Sequence, residues 1–139
     1  MRDISREMVK NFQLKKKGYD FMGYTFTNPE QLSFHHLIIP RRDCKEKGLG
    51  DGYVYWNGAI LRQDTSHDYL HIIERTDRDV FLAITAQMVE ENLKGKVDIE
   101  NLKRIRELLL YFEKHYENET FSNGKILIKK KFITDRIEL

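Results

Sequence analysis

The chain is poor in the residues that hold small proteins together by covalent or metal cross-links. It has one cysteine, Cys44, and two prolines, Pro29 and Pro40. A single thiol excludes an intrachain disulfide, and without paired cysteines there is no zinc site of the thiolate kind. Any metal must be held by histidine and oxygen ligands. Long hydrophobic runs are also missing: nothing approaches the roughly 20 apolar residues that cross a bilayer. Behind the basic residues of the N-terminus there is no apolar stretch and no small-residue cleavage site, so a cytoplasmic protein is expected, with no membrane partner. Charge of one sign is not in excess, since 24 Lys and Arg offset 22 Asp and Glu for a formal net charge of +2. Gross electrostatics therefore does not announce nucleic acid. No repeat and no low-complexity segment is present.

What remains is 139 residues, 40% hydrophobic and 33% charged, which fits one domain able to bury a core without cross-links. Ile4, Met8 and Phe12 recur at helical spacing and predict a short amphipathic helix from Ile4 to Leu14. Tyr19 to Thr27 reads as irregular or as a short strand. Leu32 to Ile39 predicts a strand ended by Pro40, and a long glycine-bearing loop follows it. Asn57-Gly58 offers a tight turn, and Ala59 to Leu61 a short second strand. Asp64, Thr65 or Ser66 is placed to cap a helix running from His67 to about Glu74. Val80, Phe81, Ile84, Met88 and Leu93 predict a helix ended by Gly95. Leu102, Ile105, Leu108, Leu109 and Phe112 predict another, capped by Asp98 and reaching about Tyr116, and the two are expected to pair antiparallel. The tail at 119–139 alternates weakly, as a strand or hairpin would.

Four of the five histidines fall between Leu32 and Glu74. His67 and His71, four apart on a helix, share a face and can chelate one ion. A strand packed on that face can add a third imidazole. His35 and His36 are adjacent on a strand and point to opposite sides, so one can bind metal while the other stays free to move a proton. That division suits hydrolysis of a phosphodiester, where a metal neutralises phosphate charge and a separate base deprotonates water. Arg41 and Arg42 follow closely, and they or Arg62 are candidates to hold phosphates.

This order, His-His on a first strand, then Asn57, then a helix bearing His-x-x-x-His, resembles the HNH or ββα-metal nucleases, and most of all the colicin-type DNases. The resemblance covers about residues 31–75. It implies a ββα-metal hairpin-helix core; with the N-terminal helix and the two packed C-terminal helices at about 77–118 that the apolar spacing predicts, the expected fold class is α+β. It implies His35, His67 and His71 as metal ligands, His36 as the base that activates water, and Asn57 as the residue that fixes the loop and hence the base. The expected activity is a DNA endonuclease leaving 5′-phosphate and 3′-hydroxyl ends. An all-imidazole set favours Zn, Ni, Co or Mn over Mg by ligand softness. The loop from His36 to Asn57 is longer than in compact family members, and the cysteine pairs many of them carry are missing.

Each feature also has a plainer reading. A lone histidine on an apolar face is more often a core residue than a ligand, and Tyr53, Tyr55 and Trp56 beside a strand are more often packing than base-stacking groups. His115 near a helix end is a favourable charge partner for the dipole and no site residue. Two rival functions fit the same histidines: a non-catalytic protein or nucleic-acid binder with a structural metal site, and a ribonuclease or toxin acting on RNA. The C-terminal helices suit either a monomer or a homodimer.

Overall fold

A computed structural model describes residues 18–116 and 136–138. The expected N-terminal helix and most of the tail lie outside these residues. Within them the chain is mixed helix and strand. A 3-10 turn, Pro29–Gln31, leads into β1, Leu32–His36. A single helical turn, α1 at Arg41–Cys44, and a 3-10 turn at Tyr55–Asn57 interrupt the loop that follows. Then come β2, Gly58–Arg62, a π-turn at Gln63–His67, and the helices α2 at Asp68–Thr76, α3 at Arg78–Lys94 and α4 at Ile99–Tyr116.

β1 and β2 pair antiparallel, with His35 opposite Ala59 and His36 opposite Gly58. β1 is shorter than Leu32 to Ile39, because the Asn57 side chain takes over the ladder. The Leu37 amide still reaches the Asn57 carbonyl at 2.8 Å, but the Ile39 amide donates to Oδ1 of Asn57 at 2.7 Å. Asn57-Gly58 is not a tight turn. Asn57 closes the 3-10 turn, and Gly58 has extended backbone, φ −164°. The glycine is there for space, since a Cβ would collide with the ring of Phe34.

Capping of α2 also differs from expectation. The π-turn runs straight into α2 with no side-chain cap at either start. Asp64 turns to Arg62, at 2.8 Å, and the Ser66 hydroxyl donates to Asp20 instead. Asp20 is fully buried. Its carboxylate also accepts the amides of Met22 at 3.0 Å, Tyr24 at 3.1 Å and Arg62 at 2.9 Å. One side chain thus ties the aromatic turn at 19–25 to the end of β2 and to Ser66 of the π-turn. Burial raises its pKa, and the four donors pull the other way.

The helix pair follows its sequence periodicity. Val80, Phe81, Ile84 and Met88 of α3 and Leu102, Ile105, Leu109 and Phe112 of α4 are buried in one cluster with Leu61, Tyr69, Leu70 and Ile73. Leu108 is partly buried, and Leu93 is 72% exposed. Five residues past Met88, Leu93 lies well round the helix from the buried stripe, which ends at Glu91. Asp77 caps α3 by accepting the Val80 amide at 3.2 Å, and Gly95 ends it in the left-handed conformation, φ 68°. No helix among the described residues is long and apolar enough to cross a membrane.

Asp20→Ala is expected to leave four donors, three of them buried, without their acceptor and to cost about 3 kcal/mol in urea unfolding, against about 1 kcal/mol for Ser66→Ala. Equal and small losses would remove Asp20 from this central role.

Candidate metal centre and adjoining cleft

The strand and the helix bring three of the predicted ligands together. Ser33 and His35 share one face of β1, while Phe34 and His36 share the other. His67 ends the π-turn with helical dihedrals, φ −63° and ψ −48°, so the next helical turn stacks His71 on it. The ring centroids of His35, His67 and His71 form a near-equilateral triangle. The sides are 4.8 Å from His35 to His67, 4.7 Å from His35 to His71 and 4.9 Å from His67 to His71. One ring nitrogen from each lies within 4.8 Å of the others. Nitrogens around a tetrahedral zinc stand about 3.4 Å apart, so modest inward rotation of the rings would close the set.

The donor chemistry fits a cation. His35 is 4% exposed, and its buried Nε2 has no hydrogen-bond partner among the described residues. A polar atom left so in a core needs a reason, and an unfilled ligand position is one. Burial, and then the neighbouring His67, His71 and His36, push the His35 pKa down to about 3. His67 is lowered as well, by burial first and His71 second. Both imidazoles are therefore neutral near pH 7, the state a metal requires. Outer partners meet two of the rings. Nδ1 of His67 lies 2.6 Å from the Ser33 hydroxyl, and Nδ1 of His71 lies 3.5 Å from Glu74.

His36 stands apart from this set. Its Nε2 is 2.6 Å from the backbone carbonyl of Asp51. A carbonyl only accepts, so Nε2 carries the proton and Nδ1 keeps its lone pair. Burial and then the Arg41 charge lower its pKa, which leaves it unprotonated at neutral pH. Phe34 meets the ring edge-on at 4.9 Å, and Tyr53 lies at 5.5 Å.

Asn57 makes its side-chain hydrogen bonds to the loop. It is fully buried and holds the loop, its Nδ2 donating to the carbonyls of Ile39 at 3.1 Å and Gly52 at 3.2 Å. Gly52 immediately follows the Asp51 that orients His36.

One cleft joins the parts. Its lining includes His35, His36, His67 and His71, with Arg41 and Arg42 on one side and Arg78, at the start of α3, among the rest. Arg62 is not brought there. Its guanidinium is held by Asp64 and, at 2.8 Å, by the Thr25 carbonyl. Ser33, Glu74, Arg78 and the Asp51 carbonyl escaped the sequence reading. Ser33 stands two before His35 on the strand and Glu74 three after His71 on the helix, spacings that could have suggested the first two. No protein-family model, curated protein or solved structure matches the chain.

Two outcomes follow. Above about pH 6.5 both folded and unfolded His35 are neutral and stability is independent of it. Between that value and about 3 the unfolded chain binds a proton the folded site refuses, so stability of the metal-free protein falls with pH, by about 2 kcal/mol from pH 6.5 to 5. Urea unfolding at both values checks this, and His35→Leu should flatten the slope. In calorimetry with zinc, His67→Ala is expected to weaken binding by more than about a hundredfold, a larger loss than removal of an outer partner causes, while His115→Ala leaves it unchanged. Equal losses would remove His67 from the ligand set.

Proposed function

We infer that the protein is a metal-dependent endonuclease of the HNH or ββα-metal type that hydrolyses phosphodiester bonds in DNA. The observation that carries the reading is the separation of His36 from the three-imidazole cluster within one cleft. An imidazole with a free lone pair thus adjoins a group of ring nitrogens suited to a cation.

A divalent cation held by His35, His67 and His71 would supply positive charge beside the phosphate and the departing oxygen. Zinc, nickel, cobalt or manganese suits this donor set better than magnesium. The remaining work falls to the chain itself. His36 takes a proton at Nδ1 from water as the water oxygen attacks phosphorus. The bond to the 3′ oxygen breaks, that oxygen gains a proton from solvent, and the new end carries a 5′-phosphate. The Asp51 carbonyl keeps the imidazole oriented and stabilises the imidazolium that forms. Asn57 acts through the loop, by fixing Gly52 beside Asp51. Arg41 and Arg42, both exposed on the cleft, are suited to neighbouring phosphates, which set position and carry little sequence information.

Supercoiled plasmid incubated with purified protein and each divalent ion tests the reading. Nicking is expected to require metal and to fall by at least about a hundredfold in His36→Ala, the lower range for loss of a general base, with zinc affinity kept. Wild type that binds metal yet cuts with no ion would instead support a structural metal site, and preference for RNA over DNA would make the enzyme a ribonuclease.

A further inference from the structure

Ser33 takes no part in the chemistry above, yet its hydroxyl lies 2.6 Å from Nδ1 of His67. A hydroxyl has one proton to donate and two lone pairs to accept with. The hydroxyl has a second neighbour, the Leu61 carbonyl of the paired strand at 3.4 Å, which can only accept, so Ser33 keeps both contacts only by donating to Leu61. With its proton on Leu61, Ser33 meets His67 as an acceptor, and Nδ1 must then carry the ring hydrogen.

We propose that Ser33 is a positioning residue that locks His67 in the Nδ1–H tautomer, so that the Nε2 lone pair is the one offered to a cation. The register of the two strands builds this lock, because Ser33 and Leu61 are direct partners in the ladder. Ser33 also shares its face of β1 with His35, so one strand supplies both a ligand and the support for another. The tautomer itself is a property of the metal-free protein; its use for a cation rests on the metal-centre reading.

The two parts separate in one experiment. Long-range nitrogen–proton correlation spectra of metal-free, isotopically labelled protein at pH 8 report the tautomer of each histidine. His67 is expected wholly as Nδ1–H in wild type, mixed with Nε2–H in Ser33→Ala, and restored in Ser33→Thr, which keeps a hydroxyl and suits a strand. Zinc affinity measured by chelator competition should fall about 10- to 100-fold in Ser33→Ala and recover in Ser33→Thr. An Nε2–H tautomer in wild type, or an unchanged His67 signature in Ser33→Ala, overturns the proposal. A lock lost in Ser33→Ala and regained in Ser33→Thr, with no zinc bound by wild type, supports the lock and removes the metal centre instead.

Discussion

The cleft depends on one buried amide. Asn57 replaces the next rungs of the β1–β2 ladder with its own side chain, accepting from the Ile39 amide and donating to the Ile39 and Gly52 carbonyls. A loop of this length, rich in glycine, would otherwise be set only by its own turns. Pinned at both ends, it brings the Asp51 carbonyl to His36 and leaves Arg41 and Arg42 on the rim. The fit leaves no slack. A Cβ at Gly52 would run into Cys44 Sγ and crowd Asn57 Nδ2, and the residue sits at φ 74°, where a side chain is strained in any case. Cys44, buried against the Pro40 carbonyl at 3.3 Å, is packing for this joint.

Burial does the electrostatic work. Three imidazoles in van der Waals reach of one another would repel strongly if charged. The interior keeps His35 neutral far below the pH at which an exposed histidine titrates. The cluster is thereby affordable to the fold near neutral pH and costly in acid. The same burial leaves Nε2 of His35 without a hydrogen-bond partner among the described residues, the kind of gap that a bound ligand would fill.

The legible parts of the sequence were those governed by a period. The stripes on α3 and α4 and the four-residue step from His67 to His71 follow from helix geometry alone, and strand alternation alone separates His35 from His36. Positions defined by a long-range contact were not legible. Asp20 sits in an aromatic stretch with nothing around it to announce that it gathers donors from 42 and 46 residues away. Arg62 reads in the sequence as a candidate to hold phosphate, and only the fold supplies Asp64 and the Thr25 carbonyl that engage it. The π-turn was likewise invisible, because Asp64, Thr65 and Ser66 all read as candidate caps for the helix, whereas the Ser66 hydroxyl serves Asp20.

That misreading bears on the site. Had Ser66 capped α2, its side chain would have closed back on the helix start and the segment ahead of it would have been free to leave at another angle. Tied to Asp20, the π-turn continues the helix backwards by one wide turn, and His67 keeps helical dihedrals while lying outside α2 proper. The stacking of His67 on His71 therefore depends on a carboxylate remote from both, through Ser66, the residue directly before His67. Ser33 meets His67 from the sheet side, so the ring is fixed in position by one element and in tautomer by another. Three imidazoles drawn from a strand, a π-turn and a helix are held together by polar fastenings at the junctions of these elements.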